Sequence, residues 1–319
     1  MTDKYSTVNM FLKPVIHLML ADDVTEIMIN KYDDIWVKRY GFQHEKTDIN
    51  FKLDELKGLV TIIASASFKE IGNESSDNSI PKIMSAGIPG FRFEIWNTPI
   101  STFGPSMTIR KIVSKKITLE TYFKEGQISE SHLELIIKII TKKRNVFIAG
   151  STGSGKTTFC NALIEKIPKT ERLIVIENIQ ELNISIPNVV FLQSDEEQGC
   201  GINQLIKSAL RGCPDRIIIG EVRGEEAESL LIAANTGHPG TIATLHANSS
   251  YEVLNRLEDM VMQSKTKLPI ELIQKRIALM RPFLIFLKNE KVNDLVKPIV
   301  SEITEIINLS KGKYEAHCH

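Results

Sequence analysis

The chain has no apolar run of the length that a membrane-spanning helix needs, and its N-terminus has no basic start followed by a long apolar segment. We therefore expect a protein that is neither embedded in a membrane nor exported. It also has no excess charge, because 39 basic residues balance 39 acidic residues. This balance argues against a global positive field that would attract nucleic acid or anionic lipid.

Cysteine is scarce, with four residues in 319 and no C-x-x-C pair. This pattern is typical of free thiols in a reducing compartment. The sequence ends in His317-Cys318-His319, a combination that contains metal-ligating side chains. We interpret this ending as an exposed, frayed terminus rather than as a metal site.

A phosphate-binding loop is the most informative feature that the chain does contain. Residues 150–157 fit the pattern G-x-x-x-x-G-K-[ST] and lie between the apolar run 146–149 and a helical pattern. A strand, a glycine-rich turn and a helix N-terminus in this order bring backbone N–H groups and a positive helix end to one anion. The sequence therefore predicts a nucleoside triphosphate site made by Gly150, Ser151, Thr152, Gly153, Ser154, Gly155, Lys156, Thr157 and Thr158.

Two residues of this loop have expected roles of their own. The Lys156 ammonium is expected to reach the β- and γ-phosphates as a point charge. The Thr157 hydroxyl is expected to ligate Mg²⁺, which takes most of its other ligands from water and phosphate. ATP and Mg²⁺ are thus the expected cofactors.

Two patterns of predicted elements divide the chain. Strands and an amphipathic helix indicate a mixed α/β domain over residues 1–112. Residues 113–130 predict a linker. Over residues 131–319, short apolar strands alternate with helices, which is typical of a doubly wound sheet with its ligand at the carboxyl ends of the strands.

Two glutamates stand at the carboxyl ends of predicted strands after the loop. Glu221 ends the apolar strand that follows Asp215, and Glu177 ends the strand over 173–176. We expect Glu221 to act on Mg²⁺, partly through water, and we expect both glutamates to be catalytic. The residues leave open which of the two activates the attacking water.

His238 and His246 bracket the next predicted strand. Either histidine alone is better explained as an ordinary core or surface residue. An H-x₇-H spacing is too weak to indicate a zinc site. A role for these histidines at the nucleotide therefore depends on a resemblance to known proteins.

Four segments, in this order, resemble the motifs of the secretion traffic ATPases, the ring-forming motors of bacterial type IV secretion, conjugation and pilus systems. They are the phosphate loop, an Asp box at 175–182, a Walker B segment at 214–224 and a His box at 235–249. After residue 260 we expect a helix-rich tail. Together with the two element patterns, the resemblance predicts an α/β fold class, with a C-terminal RecA-like P-loop NTPase domain and a smaller mixed α/β N-terminal domain.

The resemblance implies a homo-hexamer in which arginines of the N-terminal domain or the linker complete a nucleotide site between the domains. Arg110 matches the arginine of the family's T-I-R-K strand. Arg92 is a second candidate, although its surroundings depart from the family's D-G-x-R pattern. By the same resemblance, His246 becomes a catalytic candidate and His238 a nucleotide-binding one.

The implied partners are inner-membrane components of a secretion or pilus machine. Attachment would be peripheral, at the cytoplasmic face of the inner membrane and through those partners. No direct binding of nucleic acid is expected, since the chain has no evident basic, aromatic-lined track.

One departure from the family pattern keeps an alternative open. Asn178 stands where the Asp box normally has an aspartate, so any contact made by that acid is neutral here. The leading hypothesis is a Mg²⁺-dependent hexameric ATPase of the type IV secretion and conjugation branch. The alternatives are a type II secretion or pilus motor, a DNA-directed RecA-like motor, and a nucleotide-sensing scaffold with little turnover.

Overall fold

The chain forms two compact units in the computed structural model. The first unit comprises Met1–Ser114 with Asn293–Val296, and the second comprises Lys115–Val292 with Lys297–His319. None of the described helices is long and apolar enough to cross a membrane. The structure describes residues 6–40, 42–71, 82–88, 90–112, 117–196, 199–292 and 295–319.

The described residues of the first unit form a six-stranded antiparallel sheet and three helices. Its strands lie in the order β3-β2-β1-β6-β5-β4. The elements are α1 (Ser6–Phe11), α2 (Ile16–Leu20), β1 (Val24–Lys31), β2 (Asp34–Arg39), β3 (His44–Lys46), α3 (Leu53–Ile71), β4 (Ile83–Ile88), β5 (Phe91–Trp96) and β6 (Ser106–Lys111).

One face of this sheet packs against the helices and forms the core of the unit. On β5, Phe91, Phe93 and Ile95 are buried, whereas Arg92 and Glu94 alternate with them on the opposite face. The predicted helical spacing is confirmed in α3, whose apolar residues join the same core. The opposite face of the sheet therefore carries the polar residues of each strand.

The second unit is built on an eight-stranded sheet in the order β14-β13-β12-β7-β11-β10-β8-β9. The six strands from β12 to β9 in this order are parallel. The elements are α4 (Leu119–Lys124), α5 (Glu130–Thr141), β7 (Val146–Gly150), α6 (Lys156–Ile164), β8 (Leu173–Glu177), β9 (Val189–Gln193), α7 (Ile202–Ala209), β10 (Arg216–Val222), α8 (Glu226–Asn235), β11 (Ile242–His246), α9 (Ser250–Met262), α10 (Ile270–Met280), β12 (Phe283–Val292), β13 (Leu295–Ser310) and β14 (Lys313–Cys318).

Helices cover both faces of this sheet, so its central strands are apolar on both sides. Along β7, Phe147 and Ala149 belong to the core that includes α7, α8, α9 and α10. Val146 and Ile148 belong to the core that includes α4, α5 and α6. The doubly wound sheet predicted from the sequence is confirmed.

The segment predicted as a linker, residues 113–130, contains a helix. Residues 113–116 lie outside the described residues, and the rest of the segment belongs to the second unit. Thr118 caps α4, which buries Leu119 and Tyr122. The Tyr122 ring packs edge-on against Phe159, with centroids 5.3 Å apart. A helix of six residues has too few apolar positions for a helical hydrophobic periodicity to be recognised in the sequence.

The tail also differs from the expectation. After α9, the described residues of the tail form one helix, α10, followed by three strands that extend the sheet beyond β7. Residues after 260 were expected to be rich in helix, but β13 alone runs for 16 residues. The parallel pairing of β12 with β7 brings this part of the chain to the phosphate loop.

Candidate active site

The phosphate loop connects β7 to α6 at the carboxyl edge of the eight-stranded sheet. Gly153 and Gly155 have φ angles of 72° and 76°, in the left-handed region where a side chain is strained. Neighbouring atoms leave no room for a side chain at Gly150, because a Cβ there would lie 2.5 Å from both the Leu287 carbonyl oxygen and Ser154 Oγ. The three glycines let the chain turn tightly from the strand into the helix, as a phosphate loop must.

Lys156 is only 8% exposed, at the start of α6. Its ammonium donates hydrogen bonds to the carbonyl oxygens of Gly150, at 3.0 Å, and Ser151, at 2.8 Å. Its Nζ also lies 3.3 Å from Nδ1 of His246. The charge is thus held against the backbone of the loop, where it would meet the phosphates of a bound nucleotide.

Two hydroxyls of this segment fit a phosphate and its cation. Ser154 is fully buried, and its Oγ has no hydrogen-bond partner among the described residues. A phosphate oxygen would relieve the cost of burying this donor unpaired. Thr157 Oγ1 donates to Glu181 Oε2 at 3.3 Å, so a hydroxyl and a carboxylate stand together. Such hard oxygen ligands suit Mg²⁺, with phosphate and water supplying the remainder.

Glu221 and His246 meet at the ends of β10 and β11. His246 Nε2 lies 2.8 Å from Glu221 Oε1, and Arg223 Nη2 donates to Glu221 Oε2 at 2.5 Å. Because the Lys156 ammonium can only donate, Nδ1 of His246 accepts and the ring carries its proton on Nε2, which lies near Glu221 Oε1 without making a hydrogen bond to it. Burial, and then the charge of Lys156, lower the pKa of His246. A neutral imidazole therefore links the loop lysine to the Walker B glutamate.

A cavity of about 780 Å³ opens beside this chain of contacts. A smaller cavity, of about 290 Å³, shares His246 and Arg256 with it and reaches Glu221. The larger cavity is lined by Ser151, Thr152, His246, Ala247, Asn248, Glu252, Asn255, Arg256 and Asp259. The loop, the histidine and a polar face of α9 thus border one space.

Glu177 is placed differently from Glu221. It is 5% exposed, and its carboxylate accepts backbone hydrogen bonds from Glu181, at 3.1 Å, and Leu182, at 3.1 Å. Burial raises its pKa to about 7. A Cβ at Gly220 would lie 2.7 Å from Glu177 Cγ, so the glycine before Glu221 makes room for this side chain. Glu177 holds the Asp-box segment in position, while Glu221 lines the cavity.

The side chain of Asn178 faces the neighbouring strand. Its Oδ1 accepts a hydrogen bond from Ser194 Oγ at 2.7 Å, just beyond β9. The backbone continues this contact, because Ser194 N donates to the Glu177 carbonyl oxygen at 2.9 Å. The acidic oxygen that contacts Thr157 comes from Glu181 instead.

His238 does not join this group. In the parallel pairing of β11 with β7, His246 lies opposite Gly150 at the carboxyl edge of the sheet, and Ile242 lies opposite Val146 at the other edge. His238 precedes Ile242 by four residues, and its carbonyl oxygen accepts a hydrogen bond from Thr241. The length of the strand, roughly 13 Å from first to last residue, separates His238 from the loop of its own chain. The two histidines of the His box therefore cannot serve the same phosphate within one chain.

In the first unit, Arg92 and Arg110 are direct cross-strand partners on β5 and β6. Arg110 in turn lies opposite Glu26 on β1, and its Nε donates to Glu26 Oε1 at 2.9 Å. The Arg110 side chain remains 45% exposed. The register thus places two arginines at directly opposite positions of neighbouring strands, with the Glu26 carboxylate beside Arg110.

Sequence reasoning missed two residues near the phosphate loop. Glu181 lies within the quoted Asp box, but no strand end marks it, and only the tertiary contact with Thr157 reveals it. Arg256 lies on the polar face of α9 and lines both cavities. A polar face on an amphipathic helix normally indicates contact with solvent, so no sequence signal distinguishes Arg256.

The chain matches the family described as type II/IV secretion system protein over residues 10–285. The chain belongs to this family. It is 33% identical to the conjugal transfer protein TrbB of Rhizobium radiobacter over 265 residues, which cover 81% of this chain and 79% of that one. It is 30% identical to the type IV secretion system protein VirB11 of Brucella suis over 93% of this chain and 90% of that one.

Solved structures agree with this assignment. The VirB11 ATPase of Brucella suis, in complex with sulphate, covers 94% of each chain with 28% identity and a TM-score of 0.51. The ATPase DotB of Legionella pneumophila has the same fold, with a TM-score of 0.63 and 21% identity over 91% of this chain and 79% of that one. The prediction of a secretion ATPase with a RecA-like C-terminal domain is confirmed.

Proposed function

We propose that the protein is a Mg²⁺-dependent, hexameric traffic ATPase that powers macromolecule transport or pilus assembly in a bacterial type IV secretion or conjugation system. The contacts from Lys156 through His246 to Glu221 carry this proposal, because they join the phosphate loop to a carboxylate that lines the adjoining cavity. The conjugal transfer and VirB11 names of the relatives support the transport context.

The residues of the second unit divide the chemistry among themselves. Lys156 and the loop N–H groups would bind the β- and γ-phosphates, and Thr157 with Glu181 would hold the cation, which would supply charge neutralisation at the phosphates. Glu221 would orient and deprotonate the attacking water, and would act on the cation partly through water. His246, held between Lys156 and Glu221, senses the γ-phosphate.

Glu177 has a positioning role in this scheme. Its carboxylate is occupied by the backbone N–H groups of the segment that carries Glu181. Because its carboxylate already accepts these hydrogen bonds, Glu177 is less suited than Glu221 to take a proton from water.

Arg110, with Arg92 beside it, contributes guanidinium contacts to the nucleotide phosphates in the assembled ring. Each guanidinium is a planar fork of N–H donors that suits phosphate oxygens. Hydrolysis in the ring then drives transport through inner-membrane partner proteins, with the ATPase at the cytoplasmic face of the membrane.

Steady-state phosphate release from ATP and Mg²⁺, measured with the full chain, tests the proposal. The Lys156→Ala variant should lose at least about 10²-fold in turnover, because the charge at the developing phosphate is removed. The matched control is Lys275→Ala, which removes an exposed lysine of α10. Wild-type turnover by a folded Lys156→Ala variant would contradict the site.

Two further measurements test the assembly and the cargo class. Light scattering with nucleotide should give six times the mass of one chain, and turnover should rise with protein concentration. DNA added at low salt should leave turnover unchanged. Stimulation that grows as the salt concentration falls would instead support a DNA-directed motor.

A further inference from the structure

Strands β12 and β13 contact all three glycines of the phosphate loop. The Leu287 carbonyl oxygen closes off the space beside Gly150. Asn289 Nδ2 donates a hydrogen bond to the Gly153 carbonyl oxygen at 3.2 Å. Pro298 packs against Gly155, where a Cβ would lie 3.2 Å from the proline ring. These strands lie outside the four motifs that identify the family.

The bond from Asn289 acts on the orientation of one peptide plane. In a trans peptide the N–H and C=O groups point in opposite directions. The carbonyl of Gly153 and the N–H of Ser154 belong to the same plane. The N–H of Ser154 donates to the Ser151 carbonyl oxygen at 3.3 Å, so this peptide plane is held at both its carbonyl and its N–H. Without the Asn289 bond, only the bond from Ser154 N to the Ser151 carbonyl oxygen would hold this plane, and the neighbouring glycine adopts many backbone conformations.

The Pro298 contact is itself held by a buried side chain. Gln127, only 3% exposed, donates from Nε2 to the Pro298 carbonyl oxygen at 2.7 Å. Its own carbonyl oxygen accepts from Val300 N at 2.9 Å. Lys297 and Glu125 form an ion pair at 3.0 Å next to these bonds. The start of β13 is thus fixed to the segment between α4 and α5.

We propose that Asn289 and Pro298 form a bracket that sets the phosphate loop in its nucleotide-binding conformation, and that Asn289 is a positioning residue for nucleotide affinity. The proposal rests on the proposed function of the loop as the nucleotide site. It adds residues outside the recognised motifs that act on the phosphates through the loop backbone. The side chains of Asn289 and Pro298 shape the loop that binds the nucleotide, so they affect nucleotide affinity rather than the hydrolysis step.

Equilibrium titration with a fluorescent ADP tests the bracket. Asn289→Ala removes one neutral hydrogen bond and should raise Kd by about three- to tenfold. Asn289→Asp is nearly isosteric but sets a carboxylate against a carbonyl, so Kd should rise further. Asn289→Gln keeps a donor at an exposed position and should recover part of the affinity. The matched control is Asn308→Asp, an exposed asparagine of β13 away from the loop, which should bind like the wild type.

Separate measurements of KM and kcat distinguish a positioning role of Asn289 from a general loss of folded structure. Asn289→Ala should raise KM for ATP by a similar factor while kcat at saturating ATP stays within about twofold. The melting temperature without nucleotide should not change, and its increase on adding ADP should shrink. The loss in Asn289→Ala should persist at high salt, because no charge is removed.

The outcomes distinguish the bracket from the nucleotide site itself. Wild-type affinity in both Asn289→Ala and Asn289→Asp would overturn the bracket, while a loss of binding in Lys156→Ala would still support the proposed function. Equal loss of kcat and affinity in Asn289→Ala would also overturn it, because the residue would then act in the chemical step. Absence of ADP binding by the wild type would overturn both proposals.

Discussion

Replacing Glu221 by glutamine is the sharpest perturbation that this site offers. The amide is nearly isosteric with the carboxylate, and it still has an oxygen that accepts from Arg223, now 2.5 Å away. It has no negative charge to attract the Nε2–H of His246, and it cannot take a proton from water. The loop, with Lys156 and its backbone bonds, is left unchanged.

The size of the expected loss follows from these contacts. General-base catalysis is worth about 10²- to 10⁴-fold, so kcat should fall by that factor, or by roughly 3 to 5 kcal/mol of transition-state stabilisation. Nucleotide affinity should stay equal or rise slightly, since a negative charge near Lys156 is removed. The Glu177→Gln variant should keep far more of its turnover, because the buried amide oxygen can still accept from Glu181 and Leu182.

Single-turnover and steady-state phosphate release, together with ADP titration, measure both quantities on the same preparations. The matched control is Glu134→Gln, which removes an exposed carboxylate from α5. Hydrolysis of ATP by Glu221→Gln at the wild-type rate would exclude Glu221 as the base. A folded Glu177→Gln variant that loses turnover as completely as Glu221→Gln would instead identify Glu177 as the water-activating base.

Two other predictions follow from the charged groups. Arg110→Ala should lower kcat/KM for ATP at least about tenfold, and Arg110→Lys should recover only part of the loss. Because the Arg110–Glu26 pair lies at the surface, thermal melting should show little change in stability, and wild-type kinetics in Arg110→Ala would exclude a role at the phosphates. Glu177 has a pKa raised from 4.5 to about 7, so the native state binds a proton that the unfolded chain releases across this range. Urea unfolding of the wild type and of Glu177→Gln measures this effect. Between about pH 4 and about pH 8, the free energy of unfolding of the wild type should fall by about 3 kcal/mol relative to that of the variant. If the difference between the two free energies does not change with pH, the burial of this carboxyl is contradicted.

Most of the second unit could be predicted from the sequence because its signals are local. The apolar run at 146–149, the glycines after it and the helix that follows fix the phosphate loop without reference to the rest of the chain. Parallel strands that are buried on both faces are continuous apolar runs, and such a run preceded Glu221. The meeting of Glu221 with the loop follows from sheet topology, since both lie at the carboxyl edge.

The parts that were missed depend on contacts between distant segments. Asn289 and Gly153 are 136 residues apart, and the residue types alone give no sign of the bond between them. His238 and His246 look equivalent in the sequence, but the strand between them places them at opposite edges of the sheet. The role of Glu181 depends on a turn after β8 whose geometry is set by the buried Glu177.

The same turn decides how the Asn178 substitution should be understood. A neutral residue in the Asp box raised the hypothesis of a scaffold with little turnover. However, the Asn178 side chain bonds to Ser194, and the carboxylate beside Thr157 belongs to Glu181. Restoring an acid at this position should therefore add nothing to catalysis. The Asn178→Asp variant can still accept from the Ser194 hydroxyl, so it should fold and hydrolyse ATP within about twofold of the wild-type rate. A rise in kcat of tenfold or more in this variant would mean that the acid at 178 does act on the nucleotide, and that the natural chain is a slowed member of its family.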